Sequence, residues 1–337
     1  MRMPRATQRP PLGPGSDTAE PEQLADPSGG WRPTVSGVAL VVALLALIAV
    51  AVTTQRFLTL DNARAILAST AFVGITAIGA TLVMIVGSAV SMAVSQTATV
   101  VAMMFLATQQ LGLWTAVLIA VAAGVAITAA QGAIIGFWNS NPIVLTIAAG
   151  FAIGGIATWF SGGTPVYPQT QAFDLLNATP LGLSLAVYVL LGTAVLAQWV
   201  LSRTTAGRQM YLIGENRAAA RAAGLPVGRV TTLAWAFFGA CIALTGIFLA
   251  SFNTSATVTL GGTLTLDAIA AVLVGGTAIT GGRGSALRTL GGALLISTIS
   301  DVLLLRGFPT GAQILTKGLL VLAVVVIVHV RTTRSWR

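Results

Sequence analysis

Charge is what this sequence has least of. Only 8% of its 337 residues are Asp, Glu, Lys or Arg, where a soluble domain carries about a quarter. Lysine occurs once, as Lys317 in the context TKG. A phosphate-binding loop of the form GxxxxGK[ST] is therefore missing, and the chain cannot hydrolyse ATP by that route. Cysteine also occurs once, and Cys241 lies inside an apolar run, which excludes a disulfide framework and a cysteine metal site. The single histidine, His329, ends the last apolar segment, where an interfacial side chain is the ordinary reading. HExxH, CxxC and GxSxG patterns are absent too, and the spans hold almost none of the positioned acids, bases or nucleophiles that catalysis needs. The pI near 11.4 suggests no nucleic acid, because the arginines fall between apolar segments and form no single patch.

What the chain has in plenty is apolar sequence: 55% of residues are hydrophobic and the mean hydropathy is +0.88. Runs of about 17–25 residues, enough to cross a bilayer, recur along it. Their glycine and alanine content suits close helix–helix contact. The expected fold is all-α: a polytopic membrane protein of about ten transmembrane helices, both termini cytoplasmic. The spans are placed at 35–54, 65–87, 91–108, 113–137, 142–160, 183–202, 231–251, 266–280, 287–305 and 313–330. The third, with its Ser and Thr residues, and the eighth, which runs into the glycine cluster 275–284, carry the weakest hydropathy signal. Residues 1–33 are polar and rich in Pro and Gly, and read as a disordered tail without the h-region of a cleavable signal. The first span then acts as an uncleaved anchor, the transmembrane body covers 34–331, and 332–337 is a basic cytoplasmic tail.

Basic residues set the orientation. With the N-terminus inside, fourteen of the 18 fall on the cytoplasmic side and four outside, namely Arg56, Arg64, Arg306 and Lys317. The acids lie in the tail, in loops or near span ends, as Asp267 and Asp301 do. Ion-coupled carriers place ionisable groups near the membrane midplane. Their scarcity argues against such a carrier, although backbone carbonyls can bind sodium, so that alternative stays open; a structural or assembly subunit is a more distant one.

The cytoplasmic loop 203–230 contains a polar island, IGENRAAARAAG. Asn216 fits an N-cap, 217–223 are helix formers, Gly224 suits the left-handed C′ position and Pro226 prevents continuation. Two turns are too short to persist alone in water, where about 12–15 residues are needed. Arg217 and Arg221, four apart, share a face. The segment is either a solvated basic loop or a short helix docked on a cytoplasmic partner. Glu215 either meets that partner or balances Arg217. GGRGS at 281–285 reads as a tight turn, since neither a lysine nor a following strand–helix unit supports nucleotide binding.

GRQMYLIGENRAAARAAGLPVGRV (207–230) closely resembles the cytoplasmic loop of ribose-type ABC importer permeases, with Gly207, Arg208, Tyr211, Gly214, Asn216, Ala219, Ala220, Gly224 and Val227 at matching positions. LDAIAAVLVGGTAITGGRGSALRTLGGALLI (266–296) is similar to a second family block. The resemblance implies a bacterial inner-membrane permease, itself non-catalytic. It would pair with a second permease subunit, identical or related, sit on two ATP-binding cassette subunits that hold ATP and Mg, and receive solute from an extracytoplasmic binding protein. It implies ATPase coupling through Gly214, Glu215, Asn216, Arg217, Ala219, Ala220 and Gly224. Polar groups in hydrocarbon face bundle interiors, which makes Ser88, Ser91, Ser95, Asn141 and Thr277 candidates for the translocation path. The family's GGIDLSVG is GSAVSMAV here, at 87–94, with Val90 where the aspartate stands. The departure points to a different ligand, a non-identical partner permease, or drift.

Overall fold

The computed structural model describes residues 53–54 and 57–334. The tail 1–33, the span placed at 35–54 and residues 335–337 lie outside that range or almost wholly so. The described chain is helical: α1 (Leu60–Ile85), α2 (Val94–Ala107), α3 (Leu113–Trp138), α4 (Pro142–Ser161), α5 (Leu185–Arg203), α6 (Thr205–Glu215), α7 (Arg217–Ala222), α8 (Val227–Asn253), α9 (Leu264–Val274), α10 (Ala286–Leu305) and α11 (Thr310–Arg334). Six of these are long and apolar enough to cross a membrane, and three shorter apolar segments accompany them. Each expected span after the first has its helix, with three shifts. α1 begins earlier, at Leu60, where Thr59 Oγ1 accepts from the Asn62 N–H. The eighth span ends at Val274 rather than 280, because the glycines that follow turn the chain. The segment 203–230 is less of a loop than expected: α6 precedes the short α7, and α8 starts at Val227.

α1 and α8 form the centre. Most of their apolar windows are buried, whereas α4 buries only 17% of its own. Close approach rests on small residues. On α3, Gly124, Thr128, Gly132 and Gly136 recur every fourth position and so form one stripe. That stripe meets Gly239, Trp235 and Gly228 of α8 so tightly that a Cβ on Gly132 would collide with the Trp235 side chain. In lipid, where apolar burial drives little, such van der Waals contact and interhelical hydrogen bonds hold helices together. Thr76 Oγ1 donates to Thr245 Oγ1 at 2.8 Å across α1 and α8. The Thr81 and Thr289 hydroxyls pair at 2.7 Å across α1 and α10. At the other end of α8, the 161–182 connection folds back. Ser251 Oγ donates to Phe173 O, and Asn177 Nδ2 donates to Ser251 O.

Two helices are too short to span. At 1.5 Å per residue, α2 and α9 rise only about 21 Å and 16 Å, against a hydrocarbon core of about 30 Å. Their N-termini meet. Ser95 N–H donates to Thr265 Oγ1 at 3.1 Å, Thr265 N–H donates to Ser95 Oγ at 3.2 Å, and the hydroxyls lie 2.8 Å apart. Each half-helix thus satisfies an orphan donor of the other, which membrane interiors require of irregular backbone.

Packing of this kind leaves no room for a side chain at Gly239, where an added carbon would meet Thr128 Oγ1 and Gly124 O. Gly239→Leu is expected to lower the thermal midpoint of the detergent-solubilised protein, overpacking costing roughly 1–3 kcal/mol. Gly192→Ala, where nothing lies within 4 Å of the added carbon, should leave it unchanged.

Candidate functional site

Three backbone segments converge where α6 meets the bundle. α1 ends at Ile85, and Gly87 takes a φ of +76° to close the end, its N–H donating to Met84 O while Ser88 N–H donates to Val83 O. This is the Schellman arrangement, and φ above zero suits glycine. α9 ends identically: Gly276 has a φ of +78°, its N–H reaches Leu273 O, and Thr277 N–H reaches Val272 O. The chain then makes the turn expected of GGRGS, with Ala278 N–H donating to Arg283 O. The turn plugs into the other two segments. Gly282 N–H donates to Ile85 O at 2.9 Å, and Gly214 of α6 lies so close that a Cβ there would strike Ile85 O and Gly282 N. A Cβ on Gly281 would lie 2.6 Å from Gly87 Cα. Tyr211 adds a strut, its phenol donating to Gly284 O at 2.9 Å. Burial pushes the Tyr211 hydroxyl's pKa up, partly opposed by the nearby Arg288 charge.

α7 follows directly. Asn216 caps it, accepting from Ala219 N–H at 3.0 Å. Gly224 closes it at a φ of +76°, with Gly224 N–H to Arg221 O and Leu225 N–H to Ala220 O. The two arginines turn inward to the end of α3. Arg217 Nη2 donates to Ile135 O at 3.2 Å, and Arg221 Nη2 donates to the Oδ1 of Asn139, the left-handed C-cap of α3, at 3.1 Å. Cations there answer the orphan carbonyls and the negative end of the α3 dipole. Desolvation, with Arg221 close by, pulls the Arg217 pKa down from its ordinary value. Ala220 is buried beneath the helix, while Glu215, Asn216, Ala218, Ala219 and Ala222–Gly224 face outward. Among the described residues Glu215 forms no ion pair. The seven residues of the proposed coupling set therefore divide: Gly214, Arg217 and Ala220 hold the segment to the body, Asn216 and Gly224 shape it, and Glu215 and Ala219 present its surface.

The polar candidates for a path fall in four places. Ser88 and Thr277 are the residues after the two glycine caps, and both hydroxyls are buried with no hydrogen-bond partner among the described residues. Ser91 Oγ reaches Gln131 Oε1 at 3.4 Å and accepts from Ala93 N–H. Ser95 sits at the meeting of the half-helices. Asn141 stands apart from all of these: its side chain is exposed and caps α4, accepting from Ile143 N–H at 3.0 Å. Sequence reasoning missed α6 as a helix, Gly281 and Gly282 as partners of Gly214, Thr265 as the partner of Ser95, and the inward use of Arg217 and Arg221. The i,i+4 arginine spacing was the only available hint of the last, and it could not name α3.

With Arg217 holding α7 down, Arg217→Ala is expected to speed amide exchange across 217–223 by about ten- to a hundredfold, as loss of a charged hydrogen bond of roughly 1.5–3 kcal/mol requires. Hydrogen-exchange mass spectrometry on the solubilised protein reads this directly.

Comparison with known proteins gives these features a context. The family model described as "Branched-chain amino acid transport system / permease component" matches residues 62–335. The ribose import permease protein RbsC of Escherichia coli K12 is 32% identical over 301 residues, 85% of this chain and 92% of the relative. The autoinducer 2 import system permease protein LsrD of Yersinia enterocolitica is 33% identical over 193 residues, 55% of this chain and 58% of the relative. LsrD of Photorhabdus laumondii is 31% identical over 237 residues, 65% and 71%. No solved structure matches. A match across that much of the chain, together with its apolar helices, makes this a multi-pass inner-membrane protein, and the chain belongs to the ribose-type ABC importer permease family.

Proposed function

We propose that the chain is the translocating subunit of an ATP-driven importer, carrying a ribose-type monosaccharide or a similar small polar solute. ATP and Mg are held by separate ATP-binding cassette subunits, solute arrives from an extracytoplasmic binding protein, and a second permease subunit, identical or related, completes the membrane part. The observation that carries the reading is the mounting of α7. A two-turn helix with an outward face of small residues is fixed at both ends: to α3 by Arg217 and Arg221, and to the Ile85–Gly282 contact through Gly214. A short helix without such anchors could not transmit a push. On this reading a groove on the ATPase takes Ala219 and its neighbours, and the whole of 203–230 serves as the coupling element. Movement of α7 reaches the ends of α1 and α9 together, which is the behaviour of a two-state element biased by nucleotide.

The sugar assignment draws on the names of the relatives, ribose and autoinducer 2 permeases. The chemistry of the candidate path agrees with it: hydroxyls at Ser88, Ser91, Ser95 and Thr277 suit a polyhydroxylated solute.

Co-expression with candidate ATPase subunits is expected to recover a stable complex that takes up solute only with ATP. Ala219→Trp and Gly224→Trp should each reduce that uptake by about tenfold or more, equivalent to ~1.4 kcal/mol of lost coupling contact, while membrane insertion is retained. Uptake that persists without any ATPase, driven by an ion gradient, would assign the chain to ion-coupled carriers instead.

A further inference from the structure

The chain's single lysine, which the sequence puts near the external end of the last span, has a buried partner. Lys317 belongs to α11, and its Nζ lies 2.8 Å from Asp267 Oδ1 of α9, with the two side chains only 13% and 9% exposed. The other carboxylate oxygen accepts from Thr263 Oγ1 at 2.7 Å. A buried ion pair is poor insurance for a fold, because desolvation offsets most of the attraction and apolar replacements are often neutral or better. Charges within membrane-spanning helices are rare for the same reason and mark function where they persist.

The position of this pair says what it acts on. Asp267 lies two residues beyond Thr265, in the first turn of α9. That turn is a half-helix end with no helix of its own behind it. On one side Thr265 shares its hydroxyl and backbone with Ser95 of α2. On the other, Asp267 is joined to α11, whose Leu320 and Val321 also pack against the core. The loop leading into the turn is equally tight, since a Cβ on Gly261 would meet the Ser95 backbone. The wall at Ser95 is therefore placed by a hydroxyl exchange and an ion pair acting on the same turn.

Resting on the permease reading above, we propose that Asp267 and Lys317 are positioning residues for solute passage. Their charge attraction fixes the first turn of α9, and so holds Thr265 against Ser95 in the wall of the path. The pair acts through Thr265 and need not touch solute.

The test separates position from transport. In native membranes, a Ser95→Cys, Thr265→Cys chain is oxidised with a copper catalyst; the native Cys241 is buried. Cross-linking is expected in the otherwise unaltered chain, to fall at least tenfold when Asp267→Leu and Lys317→Met are added together, and to return within about threefold when Asp267→Lys and Lys317→Asp exchange the charges. Asp267→Asn with Lys317→Gln, which keeps a polar contact without charge, should cross-link as poorly as the apolar pair. Cross-linking unchanged in the apolar pair, or not restored by exchange, overturns the proposal, as does failure of both uncharged pairs to reach the membrane. With the native Ser95 and Thr265 retained, uptake by the assembled importer should show the same order of variants while ATP hydrolysis stays within about twofold. An unaltered importer that shows no ATP-dependent uptake would count against the permease reading alone, because the cross-link is read without transport.

Discussion

Backbone touching backbone at one place organises this molecule. Ile85 O receives Gly282 N–H, and Gly214 lies against both groups with no space for a side chain. Any residue but glycine at 214 would force apart the end of α1, the turn after α9 and the last turn of α6. Close packing makes such a junction behave as a unit, because interiors at crystal-like density pass displacement on rather than absorb it. The two helix ends brought together carry the same glycine cap, each followed by a buried hydroxyl. The exposed residues of α7 and the buried hydroxyls of Ser88 and Thr277 are thus joined through one packed junction.

The second constraint is the membrane itself. A broken helix leaves backbone donors that lipid cannot satisfy. α2 and α9 resolve this by ending against each other, Ser95 and Thr265 each capping the opposing half-helix. The arrangement also explains why two helices of fewer than 15 residues are stable: each is held by neighbours rather than by its own length.

Much of this was legible in the sequence. Hydropathy located all six helices long enough to span and the shorter apolar helices beside them, because each carries an apolar run. The cap and stop residues of α7 were readable one by one: Asn216 as acceptor for Ala219 N–H, Gly224 at positive φ, Pro226 beyond. The turn at 281–285 followed from its glycines. Reading failed where meaning depends on which partner a side chain finds. Asn141 looked like a polar group for a path and is the cap of α4, a local role that competed with the long-range one. Asp267 and Lys317 looked like span-end charges, and fifty residues separate the two members of what is one buried pair. α6 lacks the long apolar run that marks a span, and its buried residues, Gly207, Met210 and Ile213, are too few to stand out as a helix face.

By itself the sequence determined the class of protein, the order and positions of the described apolar helices, and the identity of α7 as a capped two-turn helix. These depend on apolar run length and on local backbone preference, which a chain carries residue by residue. Tertiary structure alone decided what the caps and charges are attached to: Arg217 and Arg221 on the end of α3, Gly214 on Ile85 and Gly282, Ser95 on Thr265, Lys317 on Asp267. The reason is physical. A hydrogen bond or ion pair between segments far apart in the chain exists only once packing has fixed both groups within about 3 Å, and no local pattern records where that partner will stand.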